Sequence, residues 1–149
     1  METAGIILII LILINILLAV IDLKRGMKSK GWEDTSEYNK LFNARTVATV
    51  TVEVIRQEKI TPMKGMTPAI QLLTKTETEV IPAHLGPAWF VENQRKKIEP
   101  KEKVELRGSK IILIDKPIMM VSELRIGDDV FTLRDHNGNP VWNAWKRRR

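Results

Sequence analysis

Thr46-Val47-Ala48-Thr49-Val50-Thr51-Val52-Glu53-Val54 carries the alternation on which the fold turns. Val50, Val52 and Val54 fall on one side of an extended chain, and Thr49, Thr51 and Glu53 fall on the other. A period of two in β-branched residues describes a strand with one face in a core and one in water. The strand is expected to end at Gln57-Glu58-Lys59, before a loop in which Pro62, Gly65 and Pro68 are interspersed with Met63 and Met66. The residues downstream repeat this grammar of short strands and turns.

Ala69 to Thr74 reads as a second strand, Thr74-Lys75-Thr76 as its turn, and Glu77 to Pro82 as a third strand. His84-Leu85-Gly86-Pro87 interrupts the sheet pattern, and Pro87 suits the first turn of a helix through Gln94. After the turn residues Glu99-Pro100-Lys101-Glu102, strands are expected at Val104 to Leu106 and in the apolar run Ile111 to Ile114, which Gly108 separates. Asp115-Lys116-Pro117 turns the chain into Ile118 to Leu124, and a last short strand covers Val130 to Leu133. Asp135-His136-Asn137-Gly138-Asn139-Pro140 is dense turn chemistry. Three strands, a short helix, two further strands and a further hairpin make a mainly β protein. The expected architecture is an OB-like five-stranded barrel, with the helix around Trp89 and Phe90 as its plug.

Upstream of the barrel, Asp34 followed by Glu37 resembles a helix start, and Tyr38, Leu41 and Phe42 form one apolar stripe. A short helix serving as a lid is expected there. Gly26 to Thr35 is a charged connector. Its Trp32 has two readings, an indole in the headgroup belt or a side chain packed on the domain.

Thr3 to Ile21, TAGIILIILILINILLAVI, has no charge. As a helix it spans about 28 Å, close to the thickness of a bilayer's hydrocarbon core. A cleaved signal peptide would need a basic leader, a shorter apolar run and a small-residue cleavage site. None of these is present, and the reading is a single transmembrane anchor. Lys24, Arg25, Lys28 and Lys30 follow the run, whereas Glu2 precedes it. Positive flanks favour the cytoplasmic side, so the barrel is expected in the cytoplasm, below an inner membrane, with the N-terminus outside. The chain divides into an anchor (1–23), a juxtamembrane linker with a short helix (24–45), the OB-like domain (46–142) and a basic tail (143–149).

The runs His84-Leu85-Gly86-Pro87-Ala88-Trp89-Phe90, Val104-Glu105-Leu106-Arg107-Gly108-Ser109 and Leu133 to Trp142 resemble a group of small bacterial OB-fold proteins. That group includes the bacterial OB-fold stress proteins and small magnetosome-associated and cytochrome-associated proteins. The resemblance covers roughly Thr46 to Trp142. It implies an OB-type barrel with a binding role and an exported, periplasmic location. The flanking charges point the other way and are given more weight.

The chain has no cysteine, which excludes disulfides, thiolate metal sites, covalently attached c-type haem and cysteine nucleophiles. His84 lies beside aromatic residues, but no second or third ligand follows at a local spacing. A haem-linked electron-transfer role for it is therefore a minor alternative. His136 sits among turn formers. Asp128, Asp129 and Asp135 do not have the spacing of a calcium loop. No nucleophile elbow, phosphate loop or dinucleotide fingerprint occurs, so no catalytic, cofactor or metal residue is assigned and no enzyme is expected.

The net charge of +6 suits an anionic partner. Single-stranded nucleic acid is disfavoured, because the four tryptophans sit in the linker, the plug helix and the tail rather than along one strand face. The expected contact residues are Asn15, the one polar side chain inside the span, together with Lys24, Arg25, Lys28, Lys30 and Trp32. At the other end of the chain they are Trp145, Lys146, Arg147, Arg148 and Arg149. The expected role is a non-catalytic accessory subunit that packs on a larger integral membrane complex, with anionic lipid headgroups as a further partner. The alternative is a tethered binder of an anionic ligand.

Overall fold

The computed structural model describes residues 2–94 and 97–143. It opens with helix α1 (Glu2–Lys28). Its segment Thr3–Val20 is long and apolar enough to cross a membrane, and none of it is buried against the rest of the chain. The helix runs past the apolar stretch, so that Lys24, Arg25 and Lys28 fall on its last two turns.

Six strands follow: β1 (Val47–Ile60), β2 (Ala69–Lys75), β3 (Val80–Pro87), β4 (Lys103–Leu113), β5 (Lys116–Ile126) and β6 (Asp129–Thr132), with helix α2 (Ala88–Gln94) between β3 and β4. Neighbours pair in the order β3-β2-β1-β4-β5-β6, and a further β3–β5 pairing closes five of them into a ring. That closing pair is parallel, Ala83 opposite Met119 and His84 opposite Met120, whereas the other pairs are antiparallel. The mainly β, ring-closed architecture with its helix between the third and fourth strands is the expected one. β1 belongs to both halves of the ring: its N-terminal part pairs with β4, its C-terminal part with β2, and a bulge between Val54 and Arg56 bends it.

Several boundaries differ from the sequence expectation. β3 begins three residues later than Glu77 and runs through His84, Leu85 and Gly86 to Pro87 instead of breaking there. The break in pattern is real, but its cause is burial on both faces, with β2 and β5 as neighbours and an outer layer above. β4 is one strand through Gly108, not two. A β-carbon at Gly108 would lie 2.4 Å from the carbonyl oxygen of Met120, so glycine is what lets β5 approach there. The hairpin turns at Ile114 and Asp115, both with positive φ (47° and 64°), one residue before the expected turn. Two consecutive left-handed residues match the twist of the flanking strands.

The core is formed by Val52, Val54, Leu72, Ile81, Ala83, Val104, Leu106 and Leu124 with their neighbours inside the ring. Met119, Met120 and Val121 are consecutive and all fully buried, so both faces of β5 are covered. The barrel supplies one cover. The other is the segment between anchor and barrel, together with the last ten described residues.

Candidate functional site

The short helix expected over Tyr38 to Phe42 is instead a single 3-10 turn, Asn39–Leu41, followed by a second, Ala44–Thr46. Neither Asp34 nor Glu37 caps it. Its polar groups are spent on tertiary contacts that a regular helix would not allow. The Asn39 side-chain amide donates to the carbonyls of Trp32 (2.9 Å) and Glu33 (2.7 Å). The Asn43 N–H donates to the Ser109 hydroxyl on β4 at 3.0 Å. Residues 29–46 thus form a strap laid across the β3–β5 seam, from the end of α1 to the start of β1.

Trp32 fixes the near end of the strap. It is 0% exposed, donates from its indole nitrogen to the carbonyl of Thr67 (3.1 Å), and accepts from the Trp142 indole on its own carbonyl (3.1 Å). The Trp32 and Trp142 rings meet edge to face with centroids 5.6 Å apart, and Trp32 and Tyr38 do so at 5.0 Å. The headgroup reading of Trp32 is therefore corrected: the side chain is core, packed on the domain. Gly86 makes room for the clasp with a φ of 152° and a β-carbon position 3.0 Å from the Trp142 ring.

Arg134 fixes the middle. Its guanidinium is buried, donates to the Gly138 carbonyl (3.1 Å) and to Asn39 Oδ1 (2.8 Å), and lies over the rings of Trp142 (4.9 Å) and Phe42 (5.7 Å). Among the described residues no carboxylate contacts it, so neutral acceptors and ring faces hold the charge. Burial lowers its pKa to about 10, partly opposed by nearby Tyr38.

A second buried chain runs from the strap to the surface. The Tyr38 hydroxyl and His84 Nδ1 are 3.0 Å apart, His84 Nε2 and Gln71 Oε1 are 3.1 Å apart, and Gln71 Nε2 donates to Glu58 Oε1 at 2.7 Å. An acceptor at Gln71 Oε1 assigns the proton to His84 Nε2, leaving Nδ1 to accept from Tyr38. Burial first, and then the Arg134 charge, lower the His84 pKa to about 4, and burial raises that of Tyr38. Both groups are neutral at physiological pH. Both ring nitrogens of His84 are engaged, which leaves neither directed at a ligand.

Of the other candidates, Asn15 is exposed on α1, and Lys30 is exposed while its carbonyl accepts from the Thr67 N–H at 3.1 Å. Trp145, Lys146, Arg147, Arg148 and Arg149 lie outside the described residues. His136 is exposed in a turn that Asp135 organises by accepting from the N–H groups of Asn137 and Asn139. Among the described residues, no three His, Asp or Glu side chains are grouped to hold a metal ion. Asn39 and Arg134 were not singled out from the sequence. The signal present was only that Arg134 lies within the Leu133–Trp142 run.

Residues 46–131 match the family model of the MamS/MamX magnetosome protein family. The match covers more than half of the chain, from the start of β1 into β6. The chain belongs to the MamS/MamX magnetosome protein family. No curated protein matches it. MamS/MamX membership bears out the magnetosome-associated part of the resemblance, favours an accessory over a catalytic role and, with α1, points to membrane association. The matched region is the MamS/MamX barrel itself; the strap up to Arg45 and the closing segment after Phe131 lie outside it.

Proposed function

We propose that this member of the MamS/MamX family is a non-catalytic, single-pass accessory subunit that stabilises a larger membrane complex at the magnetosome. Its helix would pack on the complex and its OB-like barrel would cover an extramembrane surface. The observation that carries this reading is the strap. One residue beyond α1 the chain is already buried at Ser29, and Trp32 is in the core, so the barrel is held close against the end of the anchor rather than tethered by a loose linker. A domain fixed in this way can bridge the membrane-embedded and extramembrane parts of a partner. A binder that searches for a soluble ligand would gain from a long flexible tether.

The positive flank after the apolar run supports a cytoplasmic barrel with the N-terminus across the membrane. The deciding experiment is purification from native membranes in mild detergent. A stoichiometric multi-helix partner is expected, and recovery of the chain alone over several detergents would overturn the reading. The second reading, a tethered binder of an anionic ligand, draws on the basic runs at both ends. It predicts that deleting Lys146–Arg149 abolishes binding to anionic vesicles.

A further inference from the structure

We infer that the N-terminal half of β1 is a docking edge for an extended, Lys- or Arg-bearing peptide segment of a partner protein. The inference rests on where β2 stops. β1 pairs with β2 only from Glu53 onward, whereas it pairs with β4 from Val47 to Glu53. Among the described residues no strand pairs with Val47 to Val52 on the side away from β4. The space on that side is an open cleft of about 910 Å³, bordered by Val50, Thr51, Val52 and Glu53 and, across from them, by the β2–β3 turn residues Thr76 to Glu79. Successive residues of a strand point to opposite faces, so four consecutive ones border a single space only along the strand's edge.

The main-chain groups that face the cleft can be identified. The Val54 N–H donates to Glu102 (2.8 Å) and its carbonyl accepts from Lys101 (2.7 Å), both on the β4 side. Direction alternates along a strand, so Val52 and Val50 also face β4, and the N–H and C=O groups of Thr51 and Thr49 face the cleft. Both threonines are exposed. A row of open donors and acceptors at strand spacing is what an added strand satisfies.

The charge of the walls selects the occupant. Glu53, Glu77 and Glu79 oppose Lys75 and Lys103 in the lining. Lys75 is paired with Glu53 at 3.3 Å, and Glu79 with Lys110 at 3.4 Å. Glu77 has no ion pair among the described residues. Lys103 likewise has none, and with Lys110 three bases match three acids. Walls with no excess of base in a chain of net charge +6 oppose nucleic acid, and the open Glu77 carboxylate offers a partner to a Lys or Arg of the added strand. This deepens the accessory-subunit reading and rests on it only for the identity of the partner.

The test uses the full chain in nanodiscs of phosphatidylcholine, with the octapeptide acetyl-Thr-Val-Lys-Val-Thr-Val-Arg-Thr-amide as probe and residue-resolved amide exchange as readout. At saturating peptide the Thr49 and Thr51 amides are expected to slow at least tenfold, with those of Val50 and Val52 unchanged. Thr51→Pro, which removes an outward donor and leaves the β4 ladder intact, is expected to abolish the protection. The surface change Glu77→Lys is expected to weaken binding several-fold without touching the sheet. Absence of protection at the two threonines, its persistence in both variants, or equal protection by oligothymidylate would overturn the inference. Peptide protection together with recovery of the chain alone from native membranes would leave the edge standing and sink only the accessory reading.

Discussion

Trp142 donates its indole N–H to the main-chain carbonyl of Trp32 across 110 residues of sequence, at 3.1 Å. One bond thus ties the end of the barrel domain to the segment that leaves helix α1. Its partners are ring contacts: Trp32 against Tyr38, and Trp142 against Phe90 at 5.9 Å. The end of α1 is therefore coupled to the barrel core, and opening the clasp should loosen that junction as well as the core.

Trp142→Ala is expected to destabilise the domain by about 3–5 kcal/mol, since it removes a fully buried aromatic and uncovers Arg134. Trp142→Phe keeps most of the packing and should cost about 1 kcal/mol, since the Trp32 carbonyl loses the indole donor but keeps the Asn39 amide. Denaturant unfolding of the full chain in detergent measures both. Both variants lose the indole bond and only alanine loses the ring, so equal losses would show that the ring's volume adds nothing beyond the bond.

The clasp also shows what sequence could and could not tell. The alternation at Val50, Val52 and Val54 is a local property of the chain, and so were the strands and the helix opened by Pro87. His84 to Pro87 looked like a break because burial on both faces erases alternation. Trp32 stood between two readings because the residues that bury it, Thr67 and Trp142, are remote in sequence. Asn39 and Arg134 carry no local signature at all. Their roles exist only once residues 39 and 134 are brought together.

Arg134→Lys is expected to cost about 2–4 kcal/mol despite keeping the charge. An ammonium cannot donate to Asn39 and Gly138 in the same fork, nor stack flat on Trp142 and Phe42. Arg134→Met should be no worse than Lys, because the charge has no counter-ion among the described residues. Thermal unfolding of the two variants side by side checks the order.

Gly108→Ala should separate β4 from β5, because the added carbon would sit 2.4 Å from the Met120 carbonyl oxygen and 2.8 Å from the Val121 α-carbon. Both are backbone atoms that cannot rotate away. A loss of about 3 kcal/mol or more is expected, with amide exchange at Met120 and Val121 rising first. A stability loss below about 1 kcal/mol would mean that the bulge between Arg107 and Gly108 yields more readily than the tight packing suggests.

The buried histidine makes stability depend on pH in a definite direction. His84 titrates near 4 in the folded chain, against about 6.5 when unfolded, so between these values the unfolded state binds the extra proton. The His84 contribution is therefore intact above pH 6.5 and falls as pH drops towards 4, by roughly 3 kcal/mol over the window. Below pH 4 both states are protonated and this dependence ends. His84→Gln removes the titrating group, and although it weakens the bonds to Tyr38 and Gln71 at pH 7, it should flatten the slope between pH 6.5 and 4. Tyr38→Phe leaves the histidine but deletes the hydroxyl that serves its neutral form, so the pKa should rise and the slope shrink without vanishing. Unfolding measured at half-unit steps of pH separates the three chains. A wild-type slope that survives unchanged in His84→Gln would assign the acid sensitivity to surface carboxylates instead.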